Sequence, residues 1–166
     1  QALNNHVMPS HLPASKATRE NWQVPQVPYD LLEPGIEITG PSSITGMFIN
    51  ALNPGPGGER ATGDLDDDED ASGHRFKDTI ASAINRLAAV NRTLEYTNST
   101  TGKHYLIQDG DLPFFMHREK GLHLDEHEVS IDNKAIPSSI LGTALTLFHT
   151  GRAQIELGKG VYFYLP

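Results

Sequence analysis

Residues 76–90 read FKDTIASAINRLAAV and carry the clearest structural pattern in the chain. Apolar side chains recur there at helical spacing, and charged or polar side chains fill the other face. The pattern predicts an amphipathic helix over Phe76–Val90. Its apolar face is expected to be the buried one and consists of six residues: Phe76, Ile80, Ala83, Ile84, Leu87 and Val90.

Short apolar runs on both sides of this helix predict strands. Turn formers such as Gly40-Pro41 and Pro54-Gly55 close them, and their lengths suit buried strands. We predict strands near residues 36–39, 47–52, 61–66, 112–118 and 161–165, a hairpin over 93–107, a turn at Asp132-Asn133 between two short strands, and a second helix over 138–157. Strands that alternate with helices favour a parallel α/β sheet decorated by a hairpin.

The first 34 residues form a Pro-rich lead-in. Its prolines interrupt helix and central-strand hydrogen bonding, and they are Pro9, Pro13, Pro25, Pro28 and Pro34. We expect an extended segment that lies across another part of the protein, with the α/β domain over residues 35–166. The last apolar run stops at Pro166 with no helix after it, and barrels of alternating strands and helices need about 250 residues. The sequence is therefore expected to stop in mid-domain.

Charge and composition exclude several classes of protein. The chain has 21 acidic and 13 basic side chains and a net charge of -8, which disfavours a surface that follows nucleic-acid phosphates. It has no cysteine, so disulfides and thiolate metal sites are ruled out. No stretch resembles a signal peptide or a membrane span. We expect a soluble protein that binds neither nucleic acid nor membrane.

The most strongly charged stretch runs from Asp64 to Asp70, where six acids occupy seven positions. Such a density of negative charge repels itself unless cations or solvent compensate it. We expect a loop or a strand end here. A calcium-binding loop of the EF-hand type is excluded, because Ala71 stands where that loop needs glycine and Lys77 where it needs glutamate.

Five segments, in the right order, resemble one enzyme family. Glu37–Pro41 (EITGP), Ile49–Asn53 (INALN) and Asp64–Asp67 (DLDD) resemble the V-E-I-T-G-P, V-I-N-A-L-N-S-G and A-D-F-E-D-S segments of the malate synthases. Arg118–Leu124 (REKGLHL) and Gly158–Pro166 (GKGVYFYLP) are similar to the family's R-P-R-G-W-H-L and G-x-G-P-Y-F-Y-L-P. By this resemblance the chain is identified as the N-terminal portion of a malate synthase.

The lead-in is similar to the family as well, through Leu12–Lys16 and Arg19–Trp22. Other positions mark a divergent member. The acidic segment lacks the family's Phe, Leu122 stands in place of Trp, and residues 141–150 match F-D-F-G-L-Y-F-F-H-N only loosely. The family's direct metal ligands and catalytic aspartate belong to segments after Y-F-Y-L-P-K, which the sequence does not reach.

The resemblance implies a fold and a reaction. The fold is α/β, part of a TIM (β/α)8 barrel with an N-terminal extended segment and an inserted β-hairpin. The reaction is the condensation of acetyl-CoA with glyoxylate and the hydrolysis of the malyl thioester, as in the glyoxylate cycle. It needs a base for the methyl proton, a cation for the enolate oxygen and Mg²⁺ to polarise glyoxylate. The chain alone is expected to be inactive.

Three residues receive roles from the resemblance. Arg118 matches the arginine that stabilises the enolate, a task suited to a forked, permanent positive charge. Asp66 and Asp67 match the family's Glu-Asp pair, which is expected to bind the water ligands of the metal. Their neighbours Asp64, Asp68, Glu69 and Asp70 are expected to be solvated loop charges.

Partners and compartment follow from the same resemblance. They are glyoxylate, acetyl-CoA and the remainder of the protein's own chain. The compartment is the cytoplasm, or the peroxisome or glyoxysome in a eukaryote.

Two other functions compete with this interpretation. His123–His127 (HLDEH) satisfies the H-x-x-E-H pattern of a zinc peptidase. That site requires one face of a helix, yet Gly121 precedes the motif and a turn-rich stretch follows it. The other alternative is a barrel relic that binds acyl-CoA or a partner without chemistry.

Overall fold

The computed structural model describes residues 3–8, 10, 15–32 and 35–165. Within the lead-in it describes two short 3₁₀ turns, at Leu3–Asn5 and Tyr29–Leu31, and one helical turn, α1, at Lys16–Arg19. Three of the five lead-in prolines, and the Leu12–Ala14 part of the resemblance, lie outside the described residues.

The remaining elements alternate between strands and helices for most of the chain. In order they are β1 (Glu37–Gly40), α2 (Thr45–Leu52), β2 (Gly63–Asp67), α3 (Phe76–Val90), β3 (Glu95–Thr97), β4 (His104–Leu106), β5 (Phe114–Arg118), β6 (Asp125–Ile131), β7 (Lys134–Pro137), α4 (Ser138–Thr146), α5 (Arg152–Glu156) and β8 (Tyr162–Phe163).

Four strands form one parallel sheet in the order β1-β2-β5-β8. Each strand is reached from the one before by a connection that contains at least one helix, as parallel pairing requires. The fold is therefore α/β with a parallel sheet, as the sequence predicts. Two separate antiparallel hairpins, β3–β4 and β6–β7, decorate it.

The strand predicted over residues 47–52 is wrong, because this run is the helix α2. Its buried side chains are Phe48, Ile49, Ala51 and Leu52, a spacing that places them on one helical face. A short apolar run cannot be told from a buried helix by its periodicity alone. The sheet consequently has four parallel strands among the described residues, where the sequence suggested five.

The helix α3 has the predicted bounds, and Ala83 and Val90 of its predicted apolar face are buried, but the buried face is rotated away from Ile84 and includes polar side chains. Ile84, expected inside, is 61% exposed, whereas Ser82, Asn85 and Arg86 are buried. Periodicity favours the face with the largest apolar side chains. Here the face that packs on the sheet carries a buried arginine, Arg86, because carboxylates at the ends of β2 and β5 lie beneath it.

The other predicted elements are found. Asp132 and Asn133 both have positive φ, the conformation of a type I′ turn, and they join β6 to β7. The predicted second helix runs as α4, a π-helical turn at Leu147–Gly151, and α5. No helix in the described ranges combines the length and hydrophobicity needed to cross a bilayer.

The lead-in contacts the last strand of the sheet. The Asp30 carboxylate accepts hydrogen bonds from the Tyr162 hydroxyl and, at 3.1 Å, from the backbone N–H of Gly160. The Tyr162 ring meets the Phe114 ring edge-on at 6.2 Å. This part of the lead-in thus lies against the start of β8, as expected for a segment that crosses another part of the protein.

The hydrophobic core lies between the helices α2 and α3 and the sheet. Its largest fully buried apolar side chains are Phe48, Ile49, Leu52 and Phe115. Burial of such side chains contributes about 1.5–3 kcal/mol each relative to exposure. The core therefore fixes the strands whose ends carry the candidate site.

Gly63 packs against Phe114 on the face of the sheet that lies opposite the hydrophobic core. A Cβ added there would overlap the Phe114 ring, so Gly63→Ala is expected to destabilise the chain by about 1–3 kcal/mol through overpacking. Gly57→Ala is the matched control, because nothing lies within 4 Å of a Cβ added at that position. Urea unfolding of both variants measures the effect, and equal midpoints would contradict it.

Candidate active site

The predicted site residues lie where the strands β2 and β5 end. The register pairs Asp66 with His117 and Asp67 with Arg118, and the backbone N–H of Asp68 donates to the Arg118 carbonyl at 2.8 Å. The carboxyl ends of parallel strands are where α/β folds place their ligand sites. The structure therefore brings Asp67 and Arg118 together at the functional end of the sheet.

Arg118 is fixed by three carboxylates and an aromatic ring. Its Nη1 donates to Asp67 at 3.3 Å, its Nη2 donates to Asp70 at 2.9 Å, and Glu69 forms a further ion pair. The Tyr164 ring lies 5.6 Å from the guanidinium carbon. The side chain of Arg118 is 21% exposed. The guanidinium is thus held in one place while part of it still faces solvent.

Asp67 shapes the loop that follows β2. Its Oδ1 accepts hydrogen bonds from the backbone N–H groups of Glu69 at 2.9 Å and Asp70 at 3.1 Å. This is the Asx-type turn that aspartate favours after a strand. Asp67 therefore holds Arg118 directly and also orients the two other carboxylates that contact it.

Asp66 points to the opposite face of β2, towards α3. Its Oδ1 accepts from Arg86 Nε at 2.7 Å, and its Oδ2 lies 2.5 Å from His117 Nδ1. The other ring nitrogen of His117 is 2.8 Å from the amide nitrogen of Gln154. Asp66 and His117 are completely buried. Asp66 and Asp67, which the sequence predicts to act as a pair near the metal, thus lie in different environments.

Arg86 is the centre of a buried polar cluster. Besides Asp66, its guanidinium binds Asp68 at 3.2 Å, and its Nη1 donates to Glu119 and to the Thr146 hydroxyl, both at 2.9 Å. Burial alone would lower the pKa of Arg86, but the three carboxylates raise it above its usual value. Arg86 is charged and ties β2, the end of β5 and α4 to α3.

Asp64 and Asp68 are not the solvated charges that the sequence suggested, because both are buried. Asp68 accepts from Ser82 at 2.7 Å as well as from Arg86. Burial raises the pKa of Asp68 to about 6; Arg86 opposes the rise and Asp66 adds to it. Glu69 and Asp70 lie in the loop after β2, as expected, but both are paired with Arg118.

Asp64 has no hydrogen-bond partner for either carboxylate oxygen among the described residues. Burial, and after it the charge of Asp66, raises the pKa of Asp64 well above its usual value, with Arg86 opposing the shift. A group whose pKa is raised by folding stabilises the protein below its unfolded-state pKa of about 3.9, and that stabilisation is lost as pH rises through the folded-state pKa.

Asp64→Asn is therefore expected to stabilise the protein at neutral and alkaline pH and to change little at pH 4. Thermal unfolding at pH 4 and pH 8 measures this difference. Asp109→Asn is the control, because Asp109 is exposed and removal of its charge should shift both midpoints little. A variant at position 64 that is no more stable than the parent at pH 8 would contradict the expectation.

The described residues do not by themselves form a metal site. No group of three or more His, Asp or Glu side chains among them is arranged to hold a metal ion. Both oxygens of Asp66 are engaged by Arg86 and His117, and those of Asp67 by backbone N–H groups and Arg118. Asp66 and Asp67 therefore have no carboxylate oxygen left free to bind Mg²⁺ directly.

The zinc-peptidase alternative is contradicted by the structure. Its motif His123–His127 begins in a turn and continues into the strand β6, so the two imidazoles do not share a helical face. Glu126, the required base, is buried in an ion pair with Lys120 at 3.0 Å. The helix that such a site needs is absent here.

Arg86 and His117 were not singled out by the sequence. Arg86 had one available signal: it lies on a stripe of small side chains, Ser82, Ala83 and Ala89, that lets α3 approach the sheet closely. His117 had no such signal, because its partners Asp66 and Gln154 are distant in sequence.

Comparison with known proteins relates the chain to the malate synthases. The profile "Malate synthase, TIM barrel domain" matches residues 114–166, which include β5, Arg118 and β8. Malate synthase from Myxococcus xanthus is 40% identical over 166 residues, which cover 99% of this chain and 29% of the relative. Over nearly its whole length the chain is therefore similar to malate synthases.

Other malate synthases match over the same extent. Malate synthase A of Escherichia coli is 35% identical over 167 residues, covering 100% of this chain and 30% of the relative. The glyoxysomal malate synthase of Cucurbita maxima is 31% identical, covering 98% of this chain and 28% of the relative. The chain thus spans about three tenths of the length of these malate synthases.

Proposed function

We propose that the chain is the part of a malate synthase that supplies the enolate-stabilising arginine. The observation that carries the proposal is Arg118, at the carboxyl end of β5, held by Asp67, Glu69 and Asp70 beside Tyr164. The chain's similarity to malate synthases over nearly its whole length supports it. The substrates are acetyl-CoA and glyoxylate, and the products are malate and CoA.

The environment of Arg118 suits the stabilisation of a developing negative charge. Fixed donors that need no reorganisation stabilise an oxyanion best. Of the three carboxylates, Asp70 is the most exposed, at 75%. We infer that a substrate oxygen takes the place of Asp70 at Nη2, while Asp67 keeps the guanidinium plane in position. A lysine could not hold both contacts with one ammonium group.

The four-stranded parallel sheet is proposed to be one half of a TIM barrel. Strand order β1-β2-β5-β8 follows the chain, as it does around such a barrel. The two edge strands, β1 and β8, would pair with strands from the remainder of the protein. The α/β topology and the profile match over residues 114–166 support this arrangement.

Magnesium and the compartment complete the proposal. The direct Mg²⁺ ligands and the catalytic base would come from the remainder of the protein, because the carboxylates of Asp66 and Asp67 are already engaged. Two aspartates match the family's Glu-Asp pair near the metal. Of these, Asp67 is the better candidate for a place near the metal, since Asp66 faces α3.

We propose a cytoplasmic enzyme, or one in the peroxisome or glyoxysome if the source is a eukaryote.

The test is a thioester-cleavage assay with acetyl-CoA, glyoxylate and Mg²⁺. The polypeptide from the complete reading frame is compared with the 166-residue chain. Glyoxylate-dependent release of CoA by the longer polypeptide alone is expected. Activity in neither would favour a barrel relic that binds acyl-CoA or a partner without chemistry, and would overturn the proposal.

A further inference from the structure

Two arginines hold the acidic segment Asp66–Asp70 from opposite sides. Asp66 and Asp68 bind Arg86 on the α3 side of the sheet. Asp67, Glu69 and Asp70 bind Arg118 on the other side. The alternation of side chains along an extended strand places Asp66 and Asp67 on opposite sides, and the Asx-type turn after β2 brings Asp70 to Arg118. A change at either arginine therefore acts on the same short length of backbone.

The Arg86 cluster also includes both chain neighbours of each site residue. Asp67 lies between Asp66 and Asp68, which Arg86 binds directly. Arg118 lies between His117, which is bound to Asp66, and Glu119, which is bound to Arg86. Thr146 joins Arg86 and Glu119 with two hydrogen bonds of 2.9 Å. The backbones that carry Asp67 and Arg118 are thus anchored on both sides by one buried guanidinium.

The negative charges of the buried carboxylates make the anchoring of these backbones depend on Arg86. The side chains of Asp66, Asp68 and Glu119 are 6% exposed or less, and within the described ranges Arg86 is the one lysine or arginine paired with them. Buried carboxylates without a partner are strongly unfavourable. Without Arg86 they would separate or take up water, and the segment that carries Asp67, Glu69 and Asp70 would move with them.

We propose that Arg86 is a positioning residue for Arg118: it holds the ends of β2 and β5 so that the guanidinium of Arg118 keeps its catalytic orientation. The proposal rests on the function proposed above. Arg86 itself is buried and touches no substrate. Its forked guanidinium serves four acceptors on three elements, which a lysine ammonium cannot do.

The first test is a double-mutant cycle in the polypeptide from the complete reading frame. Arg86→Lys keeps the buried charge and is expected to lower kcat about 10- to 100-fold, with a smaller change in KM. In the Arg118→Lys background the same change is expected to cost little more, because its effect passes through Arg118. Arg152→Lys, a substitution at an exposed pair on α5, is the control for activity.

A second variant guards against loss of folding. Arg86→Gln combined with Asp68→Asn removes one positive and one negative charge from the cluster and leaves fewer carboxylates without a partner. It is expected to show the same non-additivity with Arg118→Lys. Additive losses in both series would mean that Arg86 acts on the fold in general, and would overturn the proposal.

The second test reads the environment of Arg118 without any assay of activity. Phenylglyoxal modifies free guanidinium groups, and peptide mass spectrometry gives the rate for each arginine. Arg118, held by three carboxylates, should react slowly in the parent and several-fold faster in Arg86→Lys, while the exposed Arg152 keeps its rate. An unchanged rate at Arg118 would contradict the proposal.

The two readouts separate failure of this inference from failure of the proposed function. Suppose that the parent is inactive and that Arg118 is modified faster in Arg86→Lys than in the parent. This result would support the positioning by Arg86 and overturn the malate synthase activity. An active parent with additive losses and an unchanged modification rate would support the activity and overturn the positioning role.

Discussion

Arg118→Lys is expected to lower kcat of the complete enzyme about 100- to 1000-fold, the loss typical when one donor to a developing oxyanion is removed. Lysine keeps the charge but loses the fork that joins Asp67 and Asp70 and presents an edge to the substrate. The measurement is glyoxylate-dependent release of CoA under saturating substrates. The effect should fall on kcat more than on KM, because the contact strengthens in the transition state.

Arg152→Lys is the matched control for this prediction. Arg152 is also paired with a carboxylate, Glu156 at 2.8 Å, but it lies on the exposed surface of α5. Its replacement should leave kcat unchanged. If both variants retain the parent's turnover, the role proposed for Arg118 is contradicted. Circular dichroism checks that each variant is folded.

Arg86→Met is expected to have the largest effect on stability, about 3–5 kcal/mol, because it leaves buried carboxylates without a counter-charge. The three carboxylates that pair with Arg86, those of Asp66, Asp68 and Glu119, would have to separate or draw in water. The free energy of unfolding from urea titration measures the loss. The loss should shrink as the pH is lowered from 8 to 5, because burial raises the pKa of Asp68 to about 6 and its carboxylate then becomes neutral.

Arg152→Met provides the comparison for that experiment, because the ion pair of Arg152 with Glu156 is exposed and contributes little to stability. An Arg86→Met protein that is as stable as Arg152→Met at pH 8 would show that the cluster does not depend on its arginine.

Much of the fold follows from the sequence because its elements are marked locally. The helix Phe76–Val90 has a clear period, and the turn at Asp132-Asn133 uses residues that tolerate positive φ. The run Met47–Leu52 has no such marker: it is short and apolar, and only the sheet beneath it decides between helix and strand. The expected face of α3 is correct only in part for a related reason, since periodicity does not weigh a buried ion pair against apolar area.

The site could be predicted only in part. Arg118 and Asp67 stand in segments that resemble the malate synthases, and the register of β2 and β5 places them together. The division of the acidic run between two faces could not be read from charge density. Asp66 and Asp68 are buried because Arg86 lies 20 and 18 residues further along the chain. Tertiary pairing at that distance has no local signal.

Carbon-13 labelling of the acetyl methyl group tests most directly whether the end of this sheet belongs to a malate synthase. The complete polypeptide is incubated with methyl-labelled acetyl-CoA, glyoxylate and Mg²⁺, and the products are followed by NMR. We expect the label at the methylene carbon of malate. The Arg118→Lys variant should form this product only at its low residual rate. Labelled acetate alone, or unchanged acetyl-CoA, would contradict the proposed condensation.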